Sequence, residues 1–137
     1  MKVLYDTNIL LDVFQFRQPH YRDSAMSLNI SLTGRAVGYF SAHAVPTLYY
    51  ILNKYADRDT TRESITWVLG FLEIVPCDRR ILDSALNAPM VDFEDAIVAQ
   101  CARFASCDYI VTRNTKDFPS SHVPVSTPSD FLARIQS

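Results

Sequence analysis

The chain has 137 residues, 48% of them hydrophobic and 20% charged, the size and balance of a single domain, residues 1–137, with its own core. A formal charge of −2 excludes a protein that coats nucleic acid by charge alone, because such binding needs many unopposed Lys or Arg contacts; it leaves room for a small basic groove. No stretch approaches the roughly 18 apolar residues of a membrane span, and Asp6 interrupts the first apolar run too early for a secretory signal, so a cytoplasmic protein without membrane contact is expected.

In chain order, residues 3–5 form the first predicted strand, and the apolar run breaks on Asp6-Thr7-Asn8 before resuming as Ile9-Leu10-Leu11. Helices are predicted over 9–16 and 21–33, then a strand over 37–40. The next helix, 47–55, begins close to Pro46, which fits a first turn and poorly anywhere later. The polar stretch YADRDTTRE reads as a turn, with Thr60 or Thr61 capping a helix over 61–72. A strand at 74–75, helices over 78–88 and 93–105, strands at 109–111 and 123–125, and a helix after Pro128 complete the pattern. The strand candidates are short and mostly apolar on both faces, which suits a parallel sheet covered on both sides. Their alternation with helices predicts a three-layer α/β/α sandwich around a central parallel sheet. Tyr49, Tyr50, Trp67 and Phe71 read as core or dimer surface. Cys77, Cys101 and Cys107 have no CxxC pairing and no zinc-ligand spacing, and read as reduced thiols.

In an open parallel sheet, ligands sit beyond the carboxyl ends of the strands, and Asp6 stands where the first strand ends. Gly34, Gly38 and Gly70 are the only glycines and form no phosphate-cradling motif, which excludes nucleotide-cofactor and P-loop readings. What the strand ends carry is acid and amide. The helix opening VDFEDAIVAQ brings Asp92, Glu94 and Asp95 together, and Asp92 and Asp95 share a face. Asp92 reads well as an N-cap, with further acid in the first turn suiting the helix dipole. Asp95 is less well explained that way: it points away from Phe93 in a predicted core stripe of Phe93, Ala96, Ile97, Cys101 and Phe104, beside the small residues Ala99 and Ala102. After the strand at 109–111 come Thr112, Arg113, Asn114, Lys116 and Asp117, either a plain polar turn or further oxygen ligands beyond a second strand end.

Taken together, YDTNILLDVF, DFEDAIVAQCA and DYIVTRNTKDF, in this order and spacing, resemble the PIN domain, in the branch that includes the VapC-type toxins of toxin–antitoxin systems. The resemblance covers nearly the whole chain, down to TPSDFLARI. It implies an α/β/α fold related to flap-nuclease cores and an acid cluster that binds Mg²⁺ or Mn²⁺ to hydrolyse RNA. On this resemblance Asp6 matches the family's first acid and Asp95 the acid of its late helix. Asn114 and Asp117 fall in the region that supplies the fourth, and Asn8 matches a polar residue that supports the first. The second acid is expected on the helix after the second strand, where this chain has Thr47. His43, one turn earlier, could stand in, although imidazole suits Mg²⁺ poorly and a helix-start or core role fits it better. The resemblance further implies an RNA substrate, an antitoxin protein as partner, and a homodimer paired through helices on one side.

The chemistry is coherent apart from the name. Mg²⁺ and Mn²⁺ prefer oxygen ligands, and Mg²⁺ typically takes one or two carboxylates while keeping several waters. Clustered carboxylates repel, so without a cation one of them takes up a proton more readily. The expected roles are Asp6 and Asp95 as direct ligands, Asp117 and Asp92 as ligands or holders of coordinated water, Asn8 and Asn114 as orienting groups, and Arg113 and Lys116 on the RNA backbone. The missing acid at Thr47 keeps open a catalytically weak or inactive PIN module that binds RNA or a protein. A haloacid-dehalogenase-type phosphatase would need a second Asp where Asn8 stands, and a receiver domain would need a strand-end Asp near Ile74-Val75-Pro76.

Overall fold

Val3 and Tyr5 point to one face of strand β1 (Lys2–Tyr5) and Leu4 to the other, and all three are fully buried, as a strand covered on both sides requires. The computed structural model describes residues 1–119 and 121–136. After β1 come α1 (Thr7–Phe14), α2 (Tyr21–Leu32), β2 (Val37–Ser41), α3 (Ala44–Asn53) and α4 (Arg58–Phe71). Then follow β3 (Glu73–Val75), α5 (Arg79–Leu86), α6 (Phe93–Phe104), β4 (Tyr109–Val111), a 3-10 turn (Thr115–Asp117), β5 (Val125–Ser126) and α7 (Pro128–Gln136). The five strands pair in parallel in the order β3-β2-β1-β4-β5.

One face of the sheet is covered by Ile9, Leu28, Leu48, Val68 and Phe131, from α1, α2, α3, α4 and α7. The other is covered by Ile81 of α5 and by Ala96, Ile97 and Cys101 of α6. This is the expected α/β/α sandwich. The chain builds outward from β1 to β2 and β3, then returns to lay β4 and β5 on the opposite side. The strand order therefore reverses between β1 and β4, and a crevice opens beyond their carboxyl ends, where open α/β sheets hold their ligands. No helix among the described residues is long and apolar enough to cross a membrane.

Several element boundaries differ from the sequence reading, each for a local reason. Helix α1 starts at Thr7 rather than residue 9, because the Asp6 carboxylate accepts from the Thr7 N–H and acts as its N-cap. Helix α3 starts at Ala44, and Pro46 is its third residue, where a missing N–H leaves no intrahelical bond unmade. Thr47 is thus inside the helix rather than at its start. Asp57, not Thr60 or Thr61, caps α4: its carboxylate accepts from the Thr60 N–H at 2.7 Å and from the Thr60 hydroxyl at 3.1 Å. Strand β5 begins at Val125, since Pro124 can accept the Ile110 N–H but has no N–H to give. On α6 the core stripe is narrower than expected: Phe93 and Phe104 are 43% and 37% exposed, and the guanidinium of Arg80 lies over the Phe104 ring at 4.4 Å. Of the residues read as core or dimer surface, Tyr50 and Phe71 lie on the surface and not in the core.

One glycine is there for want of space. A Cβ at Gly38 would stand 2.7 Å from Leu72 Cδ2 and 2.9 Å from Ser31 Oγ. Leu72 is buried, and Ser31 Oγ is tied to the buried Tyr5 hydroxyl at 2.8 Å, so neither yields freely. Gly38→Ala is expected to destabilise the fold by about 1–3 kcal/mol through overpacking, read as a lower midpoint in urea denaturation with an unchanged slope.

Candidate active site between β1 and β4

Asp6 leaves the end of β1 with its backbone N–H donating to Val111 O of β4 at 3.0 Å. Its side chain is fixed twice. Oδ1 accepts from the Thr7 N–H at 2.8 Å, and Oδ2 accepts from Thr112 Oγ1 at 2.8 Å. Thr112 is fully buried, and its hydroxyl uses its whole capacity of one donor and two acceptor positions: besides donating to Asp6, it accepts from Asn8 Nδ2 at 3.2 Å and from the Asn114 N–H at 3.1 Å. Asn8 Nδ2 also reaches Asp6 Oδ2 at 3.4 Å, while Asn8 Oδ1 accepts from the Arg113 N–H at 3.3 Å. Asp6, Asn8, Thr112 and the backbone of Arg113 and Asn114 thus form one network that ties the end of β1 to the loop after β4.

Across the crevice, α6 presents its N-terminal acids. Asp92 is the N-cap, with Oδ1 accepting from the Asp95 N–H at 3.0 Å, so the capping account of Asp92 holds in the structure. Asp95 is different. Burial first, then the charges of Asp92, Asp6, Asp117 and Glu94, push its carboxyl up to about 7. Burial likewise raises Asp6, with Asp117 adding to the shift, while the Thr112 and Thr7 hydrogen bonds and the Arg113 charge oppose it. Asp6, Asp95 and Asp117 therefore act on one another electrostatically although 89 and 22 positions separate the successive acids. Asp117 and Lys116 sit on the exposed 3-10 turn, and the Asp117 N–H donates to Asn114 O at 3.0 Å.

Thr47 is half-buried on α3, one turn beyond His43. His43, at the helix start, has its pKa lowered by burial, against a smaller upward pull from the charge of Glu94. Among the described residues no three His, Cys, Asp or Glu side chains converge into a ready-made metal cage. The donor set still suits a hard divalent ion, which needs only one or two carboxylates along with water: every acid in it is an oxygen donor, and burial first, then the neighbouring acids, let Asp95 hold its proton to about 7.

Asp12 is the residue that the sequence reading missed. It is fully buried, and its Oδ2 accepts from Ser24 Oγ at 2.8 Å and from Arg113 Nε at 2.7 Å. The signal was present: a lone acid inside NILLDVF, flanked by apolar residues on a helix, requires a partner once buried, and Arg113 follows a strand end that the fold brings close.

Comparison with known proteins agrees with this fold. A PIN domain family model matches residues 2–116. Ribonuclease VapC1 of Aquifex aeolicus (strain VF5) is 28% identical over 138 residues, an alignment that covers 97% of this chain and 94% of the relative. Among solved structures, a chain of VapBC2 from Rickettsia felis bound to a DNA fragment from their promoter superposes with a TM-score of 0.72 at 16% identity, over 93% of this chain and 98% of that one. A chain of a toxin–antitoxin complex from Klebsiella pneumoniae gives 0.71 at 25% identity, over 92% and 97%. With a family model spanning residues 2–116 and the same fold in solved relatives, the chain belongs to the PIN domain family.

Proposed function

We propose that this protein is a divalent-metal-dependent endoribonuclease, the toxin-like component of a toxin–antitoxin pair. The observation that carries this reading is that Asp95 and Asp6, at the strand-order reversal, are near enough for their charges to interact, with burial first and then the charges of Asp92, Asp6, Asp117 and Glu94 raising the Asp95 carboxyl to about 7. Ribonuclease VapC1 as a relative and toxin–antitoxin complexes among the solved structures support it. A separate antitoxin chain is accordingly the expected protein partner.

In this reading Asp6 and Asp95 hold Mg²⁺ or Mn²⁺, with Asp117 and Asp92 as further ligands or as acceptors for coordinated water. The bound ion supplies Lewis acidity and a water that loses its proton more easily, for hydrolysis of a phosphodiester. The chain's own work is positional. Thr112 and Asn8 fix the orientation of the Asp6 carboxylate, as groups behind a metal ligand do; the Asn114 backbone shares the same hydroxyl, and Lys116 on the exposed turn meets the RNA backbone. Thr47 favours a second reading, a weakly active module that binds RNA without fast cleavage, because an acid is absent where the family supplies one.

Three measurements test this. Single-stranded RNA should be cleaved with Mn²⁺ and spared in chelator. Asp6→Asn and Asp95→Asn should each lower the rate by more than about 100-fold, beyond what losing a supporting residue costs, with thermal unfolding still cooperative. Two variants that cleave like the parent would remove the assignment.

Asp95 also carries a prediction for the metal-free protein. Its folded carboxyl, at about 7, binds the proton more tightly than the unfolded chain's at 3.8, so folding takes up a proton between those values. Stability should therefore rise as pH falls from about 7 toward 4, and Asp95→Asn should shrink that rise. Carbon-detected NMR of the carboxyl should show titration near 7 that moves down in Asp92→Asn.

Thr47 lies one turn from His43 and so shares its face of α3. Thr47→Glu adds an anionic oxygen there and should tighten Mn²⁺ binding in calorimetry about tenfold, or about 1.4 kcal/mol, and lower the metal concentration needed for cleavage. Unchanged binding in the folded variant would show that this position does not face the acids.

A further inference from the structure

The ion pair between Asp12 and Arg113 lies outside the acidic cluster. A buried ion pair is a weak source of stability, but it fixes a planar cation in one orientation, and only 23% of the Arg113 side chain is exposed. The bond to Asp12 uses Nε, which leaves the four N–H groups on the two Nη nitrogens for other partners. Arg113 also borders a cavity of about 530 Å³ between the starts of α2 and α7 and the loop after β4, with His20, Asn114, Thr127 and Ser129 on its wall. That is room for a nucleotide-sized group. The wall is rich in hydroxyl and amide groups, and two helix N-termini add partial positive charge. Among the described residues the one acid on the wall is Asp23, which is exposed. Asn114 joins the cavity to the acidic site, since its N–H is held by the same Thr112 hydroxyl that holds Asp6.

We propose that this cavity is a subsite for the phosphate of an RNA nucleotide next to the cleaved bond, with Arg113 as its cation and Asp12 as the positioning residue that aims the guanidinium. The cleavage part of this statement rests on the ribonuclease reading. The planar fork of Arg matches phosphate oxygens two at a time, and the hydroxyls of Thr127 and Ser129 suit phosphate and ribose.

The test is anisotropy of a labelled single-stranded oligoribonucleotide, measured in chelator at several salt concentrations so that binding is read apart from cleavage. Arg113→Gln should weaken binding about tenfold and reduce the salt slope by about 0.7, the value for one phosphate contact on a single strand. Arg113→Lys keeps the charge but loses the fork, so it should weaken binding about threefold with the slope unchanged. Asp12→Asn removes a negative charge, so attraction by net charge alone would tighten RNA binding, whereas a positioning role weakens it. Parental affinity and slope in Arg113→Gln, or tighter binding in a folded Asp12→Asn, would overturn the subsite whether or not the chain cleaves. Should Asp12→Asn fail to fold by circular dichroism, the contrast between Arg113→Lys and Arg113→Gln decides. Arg113-dependent binding in a protein that never cleaves with Mn²⁺ would keep the subsite as an RNA-binding site and overturn the ribonuclease reading alone.

Discussion

Thr112 Oγ1 donates to Asp6 Oδ2 across 106 positions of chain, and the arrangement of the site depends on that bond. Tyr5 and Val111 are in register on neighbouring strands, so the first residues past each strand end are side by side. A hydroxyl at one and a carboxylate at the other lock them together at 2.8 Å. Because the hydroxyl also accepts from Asn8 and from the Asn114 N–H, rotating Asp6 would leave a buried Thr112 donor without a partner, at a cost of about 1–3 kcal/mol. The carboxylate is thereby held in place before any ligand arrives.

The same region violates the rules that govern the rest of the molecule. Elsewhere the buried surface is mostly apolar on both faces of the sheet, and its one fully buried acid among the described residues, Asp12, is paired with Ser24 and Arg113, whereas here Asp95 meets the unfavourable charges of Asp92, Asp6, Asp117 and Glu94. Helix α6 softens this at its N-terminus, where Asp92 caps and the dipole favours negative charge. Yet that favour does not bring Asp95 down to the ordinary carboxylate range. Local conflict of this kind, in a chain otherwise consistent with its fold, is what sets the candidate site apart from its scaffold.

Most of the architecture was readable because strand and helix periods differ. Asp6 stood out because it breaks an apolar run where a strand ends, and Asp95 because it lies off the apolar stripe of its helix, beside small residues. Helix starts were harder: Thr7 and Ala44 precede the apolar positions that define the periodic signal, and only the capping bond of Asp6 or the tolerance of Pro46 in a first turn reveals them. Phe93 and Phe104 were assigned to the core by spacing alone, but Ala96, Ile97 and Cys101 already fill the space beneath α6. Asp12 was hidden for another reason. A buried acid announces a partner without saying which, and Arg113 is 101 positions away.

The pairing of β1 with β4 has a consequence for synthesis. At about 5–20 residues per second, a ribosome takes on the order of 5–20 s to travel from Asp6 to Thr112, and throughout that interval the nascent chain has its first acid but neither the hydroxyl that orients it nor the strand beside it. Fragments released early, by stalling or by proteolysis before β4 emerges, keep Asp6 beside an open sheet edge with only its own helix start, the Thr7 N–H and the Asn8 amide, to align it. The alignment of the Asp6 carboxylate by Thr112 is therefore acquired in one step, once β4 has been made, rather than accumulated along the way.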